Sequence, residues 1–251
     1  MKAIILSAGQ GKRLLPLTAG RPKCLLEVQG KPVLQWQLDA LMGAGCQEVV
    51  IVVGYGADQV EELVANRPDK DRIRTFYNPF FEVSNNLASC WVARSEMDKD
   101  FLLLNGDVVL QEGIVARVLQ TSDRPVTVTI DKKASYDDDD MKVRLDGKRL
   151  ARIGKDLPAG EIDAESIGLH AFRGHGPQLF REALGRAVRA PGGLERWYLT
   201  VVAELARTHY IGTAYVDGLQ WAEIDTQEDL THARALVEGW QSSLSPTAAR
   251  A

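Results

Sequence analysis

The sequence has few cysteines, no long apolar run and no excess of one charge. It contains three cysteines among 251 residues, an odd number, and none of them forms a Cys-x-x-Cys pair. Neither a disulfide framework nor a zinc ribbon is therefore predicted. No apolar stretch approaches the ~18 residues of a membrane span, and the N-terminal segment lacks the features of a signal peptide. These absences predict a cytoplasmic protein without a membrane span.

The overall charge also excludes a class of partner. Lys and Arg number 30 against 34 for Asp and Glu, and the formal net charge is −4. Such a balance gives no general attraction to nucleic acid or to an anionic membrane surface. We therefore expect no nucleic-acid partner, and any phosphate must be bound by a local group of basic residues.

Common catalytic signatures are missing as well. The four histidines show no HExxH or zinc-ligand spacing, and no GxSxG or Cys–His nucleophile arrangement stands out. A covalent nucleophile is therefore not predicted, and any group transfer is expected to proceed without a covalent intermediate on the protein.

The first half of the chain alternates short apolar runs with helical periods. Buried strands are predicted at 3–6, 49–53, 73–77 and 101–104. Helices are predicted between them, the last at 87–97 with Asn85 or Asn86 as its cap. This order predicts an α/β fold with a Rossmann-like mixed, mainly parallel sheet covered by helices on both faces. Ligands of such sheets bind at the carboxyl ends of the strands, where residues 7–13 and 105–107 lie.

The second half has a different pattern of elements. Its predicted strands are 126–130, 141–145, 150–153, 167–172 and 212–216. Its predicted helices are 176–189, 195–208 and 227–240. Asp146-Gly147 is a hairpin signal between two of these strands. With no repeat or linker in view, we expect one domain over residues 1–240 and a flexible tail at 241–251.

The strongest motif follows the first strand. Gly9 and Gly11 let backbone amides approach an anion, and Arg13 and Lys23 supply positive charge. A dinucleotide-binding fingerprint would need a third glycine where Leu14 stands. A P-loop would need a different spacing before its lysine and a hydroxyl after it. A plain glycine turn would not account for the two basic residues, so the segment predicts a phosphate site of another kind.

This segment resembles the GxGxRxxPxT…PK loop of the sugar-phosphate nucleotidyltransferase superfamily, from Gly9 to Lys23. Later segments resemble motifs of that superfamily in the same order, and they are Asn105-Gly106-Asp107, Ile153-Gly154-Lys155, Glu165-Ser166-Ile167-Gly168 and residues 221–230. The motif around Lys155 departs from the superfamily, since Gly154 and Asp156 stand where Glu and Pro usually flank the lysine. The resemblance covers about residues 1–235 and implies the nucleotidyltransferase fold.

Two further segments are similar to one branch of the superfamily. They are Asn85-Asn86-Leu87-Ala88-Ser89 and the acidic stretch 136–142, and both look closer to the phosphocholine and phosphonate cytidylyltransferases. The resemblance therefore implies Mg²⁺-dependent transfer of a nucleotidyl group, CMP from CTP being favoured, to a small phosphorylated or phosphonate acceptor. Phosphocholine and 2-aminoethylphosphonate are such acceptors, and pyrophosphate is the second product. A homodimer is left open.

The resemblance also implies roles for individual residues. The catalytic residues are Arg13, Lys23, Asp107 and Asp225, and the two aspartates are the metal ligands. The nucleotide-binding residues, in a first half over 1–110, are Leu6, Ala8, Gly9, Gly11, Asn85, Ser89 and Gly106. The acceptor-binding residues, in a second half over 111–240, are Lys142, Lys155, Glu165, Asp138, Asp139, Tyr136, Trp197 and Trp221.

Several interpretations remain open from the sequence. The acidic run at 137–140 is either a solvated loop or a site for a cationic head group. Aromatic side chains at 136, 197, 198 and 221 either cage a quaternary ammonium or pack in the core. A sugar-1-phosphate nucleotidyltransferase is the alternative enzyme, and a nucleotide-binding regulator without turnover is the alternative outside catalysis.

Overall fold

Apolar runs form the strands and amphipathic segments form the helices in a computed structural model, which describes residues 1–243 and side chains through residue 240. The strands β1 to β13 are Lys2–Ser7, Glu27–Val28, Lys31–Pro32, Glu48–Val53, Ile73–Tyr77, Phe101–Asn105, Val108–Leu110, Val126–Asp131, Lys142–Asp146, Arg149–Gly154, Ala164–Phe172, Gly212–Tyr215 and Trp221–Glu223. The helices α1 to α7 are Val33–Gly43, Ala57–Ala65, Asn86–Val92, Ile114–Thr121, Gly176–Arg189, Tyr198–Ala206 and Gln227–Ser243.

Within residues 1–243, nine strands form one sheet in the order β5-β4-β1-β6-β11-β8-β12-β10-β9. The first four strands of this order are parallel. Each is separated from the next along the chain by a helix, as parallel pairing requires. The predicted α/β class is confirmed, and the carboxyl ends of β1 and β6 lie side by side.

The second half of the sheet is different. Strand β11 runs antiparallel to β6, β8 and β9, and β9 and β10 form an antiparallel hairpin. Because β11 pairs with both β8 and β9, the strands β11, β8, β12, β10 and β9 close on themselves. The sheet is mixed, as predicted, but the prediction that it is mainly parallel is wrong here. The β9–β10 hairpin and the direction of β11 make most pairs here antiparallel, and only β8 and β12 remain parallel in this part of the described chain.

Helices cover both faces of the sheet, as predicted. Helices α1, α2 and α4 pack on the face that buries Ala3 and Ile5, and α3, α5 and α6 pack on the face that buries Ile4. Successive residues of a strand point to opposite faces. A strand covered on both faces is therefore apolar without interruption, which explains the sequence pattern of β1.

A two-stranded ribbon of β7 and β13 was not predicted. Val108 pairs with Glu223 in its register, and the Ile224 amide donates to the Asp107 carbonyl at 3.0 Å. Helix α7 packs beside the ribbon, where Leu230 lies in one apolar cluster with Ala222 and Ile224. The ribbon therefore brings the segment after β6 next to the segment after β13.

Other boundaries differ from the sequence prediction. Helix α3 ends at Val92 and a short 3₁₀ turn follows over Arg94–Glu96, so the predicted helix 87–97 is broken. Helix α4 was not predicted. Helix α7 continues through Ser243, past its predicted end at residue 240, and residues 244–251 of the predicted tail lie outside the described residues. Across the described residues, none of the helices combines the length and apolar character that crossing a bilayer requires.

Candidate active site

A cleft of about 310 Å³ opens at the carboxyl ends of β1 and β6, between the parallel half of the sheet and the closed half. This is the location predicted from the sequence. The predicted site residues that line it are Leu6, Ala8, Gly9, Gly11, Arg13, Lys23, Asn85, Ser89, Gly106, Asp107, Asp139, Lys155, Trp197 and Asp225.

The loop after β1 is shaped by a close contact between Gly11 and Lys23. Gly11 has a φ of 75°, and a Cβ at this position would lie 3.0 Å from carbons of the Lys23 side chain. The Thr18 hydroxyl donates to the Gly11 carbonyl at 2.9 Å and fixes the loop. Glycine is therefore required for both the backbone conformation and the passage of Lys23 into the cleft.

Lys23 lies between two carboxylates. Its Nζ donates to Oδ2 of Asp107 at 2.8 Å and to Oδ1 of Asp225. Burial alone would lower the pKa of Lys23, but Asp107 and Asp225 more than offset it and hold the pKa above its usual value. The ammonium is thus kept charged and in place at the floor of the cleft.

Asp107 is placed by tight backbone packing. The Gly106 amide donates to the Leu6 carbonyl at 3.0 Å, and a Cβ on Gly106 would lie 2.4 Å from both that carbonyl and the Ser7 hydroxyl. The ribbon then brings Asp225 alongside. Oδ1 of Asp107 is buried without a hydrogen-bond partner in the structure. A buried carboxylate oxygen left without a donor is costly, so this atom is suited to an added ligand.

Charges of opposite sign alternate across the cleft. A guanidinium nitrogen of Arg13 lies 2.7 Å from Oδ2 of Asp225, and Arg13 also pairs with Asp139. Lys155 pairs with Asp139 too, and its Nζ lies 4.6 Å from the centre of the Trp197 ring. Hydrogen bonds from Lys155 and Arg13 lower the pKa of Asp139 to about 2. We call this set the charge row, and it consists of Asp107, Lys23, Asp225, Arg13, Asp139 and Lys155.

Small polar side chains line the cleft beside α3. Asn85 caps the helix, because its Oδ1 accepts a hydrogen bond from the Asn86 amide at 3.0 Å. The Ser89 hydroxyl accepts from Nδ2 of Asn78 at 3.1 Å. The Ser84 hydroxyl is buried without a partner in the structure. Amides and hydroxyls of this kind can read the polar edge of a small ring.

Two predicted acceptor-binding residues, Lys142 and Trp221, are not part of the lining of the cleft. Lys142 is buried, and its Nζ donates to the Lys155 carbonyl at 2.8 Å. Trp221 packs against the apolar core, and its Nε1 donates to Asp131 at 2.9 Å. Lys142 thus joins β9 to the segment after β10, and Trp221 joins the ribbon to the end of β8, contacts that a sequence pattern does not reveal.

Three more predicted acceptor-binding residues lie outside the lining of the cleft. Tyr136 and Asp138 belong to the loop between β8 and β9, and Asp138 is exposed. Glu165 is only 4% exposed and lies 3.0 Å from Nζ of Lys133. Burial, the largest cause, together with Asp140 raises the pKa of Glu165 to about 7, against the opposing effect of Lys133. Tyr136 and Glu165 both contact Lys133, and the proposed acceptor contacts of the three side chains stay predictions.

The sequence analysis missed Glu223 and Asn105, which both line the cleft. Glu223 lies two residues before Asp225, at the end of β13, where alternate residues share a face. Loss of water around the carboxyl group within the cleft, the largest cause, and the charges of Asp107 and Asp225 raise the pKa of Glu223. The Glu-x-Asp spacing was the available signal. Within residues 1–243, no three His, Cys, Asp or Glu side chains are grouped closely enough to hold a metal by themselves.

Residues 3–203 match the family model of the MobA-like NTP transferase domain. A stretch of 118 residues, 47% of the chain, is 40% identical to the CMP-5'-(3-aminopropyl)phosphonate synthase of Streptomyces rubellomurinus and spans 19% of that protein's length. The chain is also 27% identical over 253 aligned positions to the CTP:phosphoglutamine cytidylyltransferase of Campylobacter jejuni, covering 92% of this chain and 98% of that one.

Solved structures agree on the fold. The CTP:phosphocholine cytidylyltransferase of Streptococcus pneumoniae superposes with a TM-score of 0.78 at 20% identity, over 94% of this chain and 98% of that one. The family model spans most of the chain, and the named relatives are nucleotidyltransferases. The chain therefore belongs to the family of MobA-like NTP transferase domains and is a nucleotidyltransferase.

Proposed function

We propose that this enzyme transfers CMP from CTP to a small phosphorylated or phosphonate acceptor that carries an ammonium group, with Mg²⁺ bound and pyrophosphate released. The observation that carries the proposal is the charge row. Its three cations, Arg13, Lys23 and Lys155, lie along one cleft between carboxylates. Two polyanionic substrates repel each other, so their reaction needs positive charge at the site. The formal net charge of the chain is negative, so this positive charge must come from a local group of residues.

Each of the three cations has its own role in this proposal. Arg13, on the loop after β1, would hold the β- and γ-phosphates, and the buried Lys23 would face the α-phosphate. Lys155, beyond Asp139, would hold the phosphoryl or phosphonyl group of the acceptor. An oxygen of that group attacks the α-phosphorus in line, the bond to the bridging oxygen breaks, and pyrophosphate leaves. The protein supplies positioning and charge neutralisation, so no covalent intermediate on a side chain is needed.

The carboxylates fit a magnesium ion. Mg²⁺ prefers oxygen ligands and is commonly held by one or two carboxylates together with substrate phosphates and water. Asp107 and Asp225 are the proposed ligands, with Glu223 beside them. The unpartnered Oδ1 of Asp107 supports this assignment. A bound Mg²⁺ supplies charge neutralisation at the phosphates.

The lining of the cleft bears on the distal group of the acceptor. Trp197 lines the cleft, whereas Tyr136 and Trp221 do not, and the Lys155 ammonium already lies over the Trp197 ring. A trimethylammonium prefers several aromatic faces, and a primary ammonium prefers carboxylates. We therefore favour an aminoalkyl phosphonate or phosphate over phosphocholine. The names of the Streptomyces and Campylobacter relatives, with their aminopropylphosphonate and phosphoglutamine, support the same choice.

Pyrophosphate release tests the proposal directly. The enzyme is incubated with CTP, UTP, dTTP, ATP or GTP, each with 2-aminoethylphosphonate, phosphocholine or glucose 1-phosphate, with and without Mg²⁺. We expect the highest kcat/KM for CTP with 2-aminoethylphosphonate and Mg²⁺, and loss of turnover in Asp107→Asn. Highest turnover with glucose 1-phosphate would establish the sugar enzyme instead. Nucleotide binding without turnover for any pair would contradict the proposed reaction.

A further inference from the structure

Asn105 stands at the junction of the two halves of the molecule. It is the last residue of β6 and pairs with Leu6 of β1 on one side. On the other side β6 pairs with β11, where Leu104 faces Leu169. The Asn105 side chain lines the cleft between these strands. A substrate that spans the two halves would therefore lie within reach of this amide.

The amide of Asn105 is held by a fully buried tyrosine. The Tyr198 hydroxyl donates to Oδ1 of Asn105 at 3.0 Å. The Tyr198 backbone amide donates to Oδ1 of Asn86 at 2.9 Å, so the start of α6 is tied to α3 as well. Tyr198 has no solvent exposure, and burial keeps its pKa well above the usual value. Its hydroxyl therefore stays protonated at neutral pH.

The buried hydroxyl proton of Tyr198 fixes the orientation of the Asn105 amide. A buried hydroxyl proton without an acceptor is costly, and Oδ1 of Asn105 is the acceptor that the structure provides. Nδ2, the other end of the amide, is then not used by Tyr198. It lies beside Gly168, where a Cβ would come within 2.8 Å of Nδ2. Gly168 has a φ of 74°, so the strand is shaped to leave room for this NH₂ group.

The backbone of Asn105 is fixed too. Nε2 of the buried Gln37 donates to the Asn105 carbonyl at 2.7 Å and to the Val108 carbonyl at 2.8 Å. A side chain fixed at both its backbone and its amide oxygen presents its remaining donor with little loss of entropy on binding. Among residues 1–240, no protein group accepts a hydrogen bond from Nδ2.

We propose that Nδ2 of Asn105 donates a hydrogen bond to an oxygen of the bound substrates, either on the nucleotide or on the phosphoryl group of the acceptor, and that Tyr198 is the positioning residue that holds it. The proposal rests on nucleotidyl transfer and is independent of the choice of CTP or of the acceptor. Asn105 is thus assigned a substrate contact, and Tyr198 acts only through it.

A double-mutant cycle tests both assignments, with the nucleotide and acceptor that the wild type turns over fastest. We expect Asn105→Ala to lower kcat/KM by about 10- to 100-fold and Tyr198→Phe by about 3- to 10-fold. In the Asn105→Ala background, Tyr198→Phe should cost less than about twofold, because its partner is already gone. Tyr210→Phe, at an exposed tyrosine away from the cleft, is the matched control.

The KM values locate the oxygen. A rise confined to the KM of the nucleotide assigns the contact to the nucleotide, and a rise confined to the KM of the acceptor assigns it to the acceptor. Calorimetric titration with the nucleotide, together with a melting curve for each variant, counts the folded sites, so a folding defect is separated from a lost contact. Equal losses from Tyr198→Phe in both backgrounds would overturn the positioning role. Unchanged kinetics in Asn105→Ala would overturn the substrate contact, whatever the preferred nucleotide.

Discussion

Asp139 pairs with Arg13 across the cleft, although the two residues are 126 positions apart in the chain. Asp139 lies on the loop between β8 and β9, and it also pairs with Lys155. Arg13 and Lys155 are the proposed ligands of the triphosphate and of the acceptor. A carboxylate that holds both cations therefore occupies positions that substrate oxygens would take.

Replacing this carboxylate should strengthen the binding of simple anions. We expect Asp139→Asn to bind pyrophosphate about two- to fivefold more tightly than the wild type, since the pairs of Asp139 are solvent-exposed and each is worth little. Calorimetric titration at low salt measures the change. The neighbouring Asp138→Asn, at an exposed position, is the control. Weaker pyrophosphate binding in Asp139→Asn would contradict the competition.

Removing the ammonium of Lys23 should separate its catalytic role from its structural one. In Lys23→Met, Asp107 and Asp225 face each other without a cation between them. We expect kcat to fall by about 100- to 1,000-fold. We also expect Mg²⁺ alone to raise the melting temperature more than in the wild type, because the ion replaces the lost charge. Lys70→Met, at an exposed site, is the control. An equal Mg²⁺ response in both proteins would argue against a metal at these aspartates.

The stability of the fold should carry a signature of Glu165. Burial raises its pKa from 4.5 to about 7, so the folded state holds this proton more tightly than the unfolded state. The contribution of Glu165 to the free energy of unfolding therefore falls as pH rises between these values. Glu165→Gln replaces the titrating carboxyl group with a neutral amide, so this decrease in the free energy of unfolding is absent from the variant. We expect its stability relative to the wild type to be about 1–3 kcal/mol more favourable at pH 8 than at pH 5.

Urea unfolding at the two pH values measures this difference. Glu62→Gln, at an exposed position of α2, is the matched control. A relative stability of Glu165→Gln that is the same at pH 5 and pH 8 would show that the Glu165 carboxyl is not perturbed.

Gly106 should tolerate no side chain. A Cβ would lie 2.4 Å from the Leu6 carbonyl and the Ser7 hydroxyl, so the backbone before Asp107 would have to move. We expect Gly106→Ala to cost about 1–3 kcal/mol of stability and to lower kcat by more than about tenfold. Gly43→Ala is the control, since a Cβ there meets nothing within 4 Å. Urea unfolding and the pyrophosphate assay give the two values, and wild-type behaviour of Gly106→Ala would refute the packing argument.

Much of the fold was predictable because its signals are local. The apolar run at β1 ends in glycines, and the spacing within the loop from Gly9 to Lys23 identified the cationic side of the cleft. Asn85 was identified as a helix cap from its residue type and position. These features depend on neighbours in the sequence, and the structure agrees with them.

The remaining features depend on register between distant strands. The ribbon that joins Asp107 to Asp225 consists of two three-residue strands, which are too short for a periodic pattern. The closure of β11 onto β9 likewise leaves no local trace. The direction of the Trp221 side chain follows from the register of β13 on β7. The sequence alone therefore could not test its predicted place in an aromatic cage.

The ribbon of β7 and β13 also makes the site sensitive to local unfolding at the C-terminal end of the described chain. Asp225 keeps its place only while β13 and α7 stay docked, and the parallel half of the sheet has its own separate apolar clusters. Detachment of the C-terminal elements would therefore dismantle the charge row and leave the central sheet folded. A Mg²⁺ ion held by Asp107 and Asp225, as proposed, would oppose this opening, so we expect Mg²⁺ with nucleotide to protect the last helix from proteases.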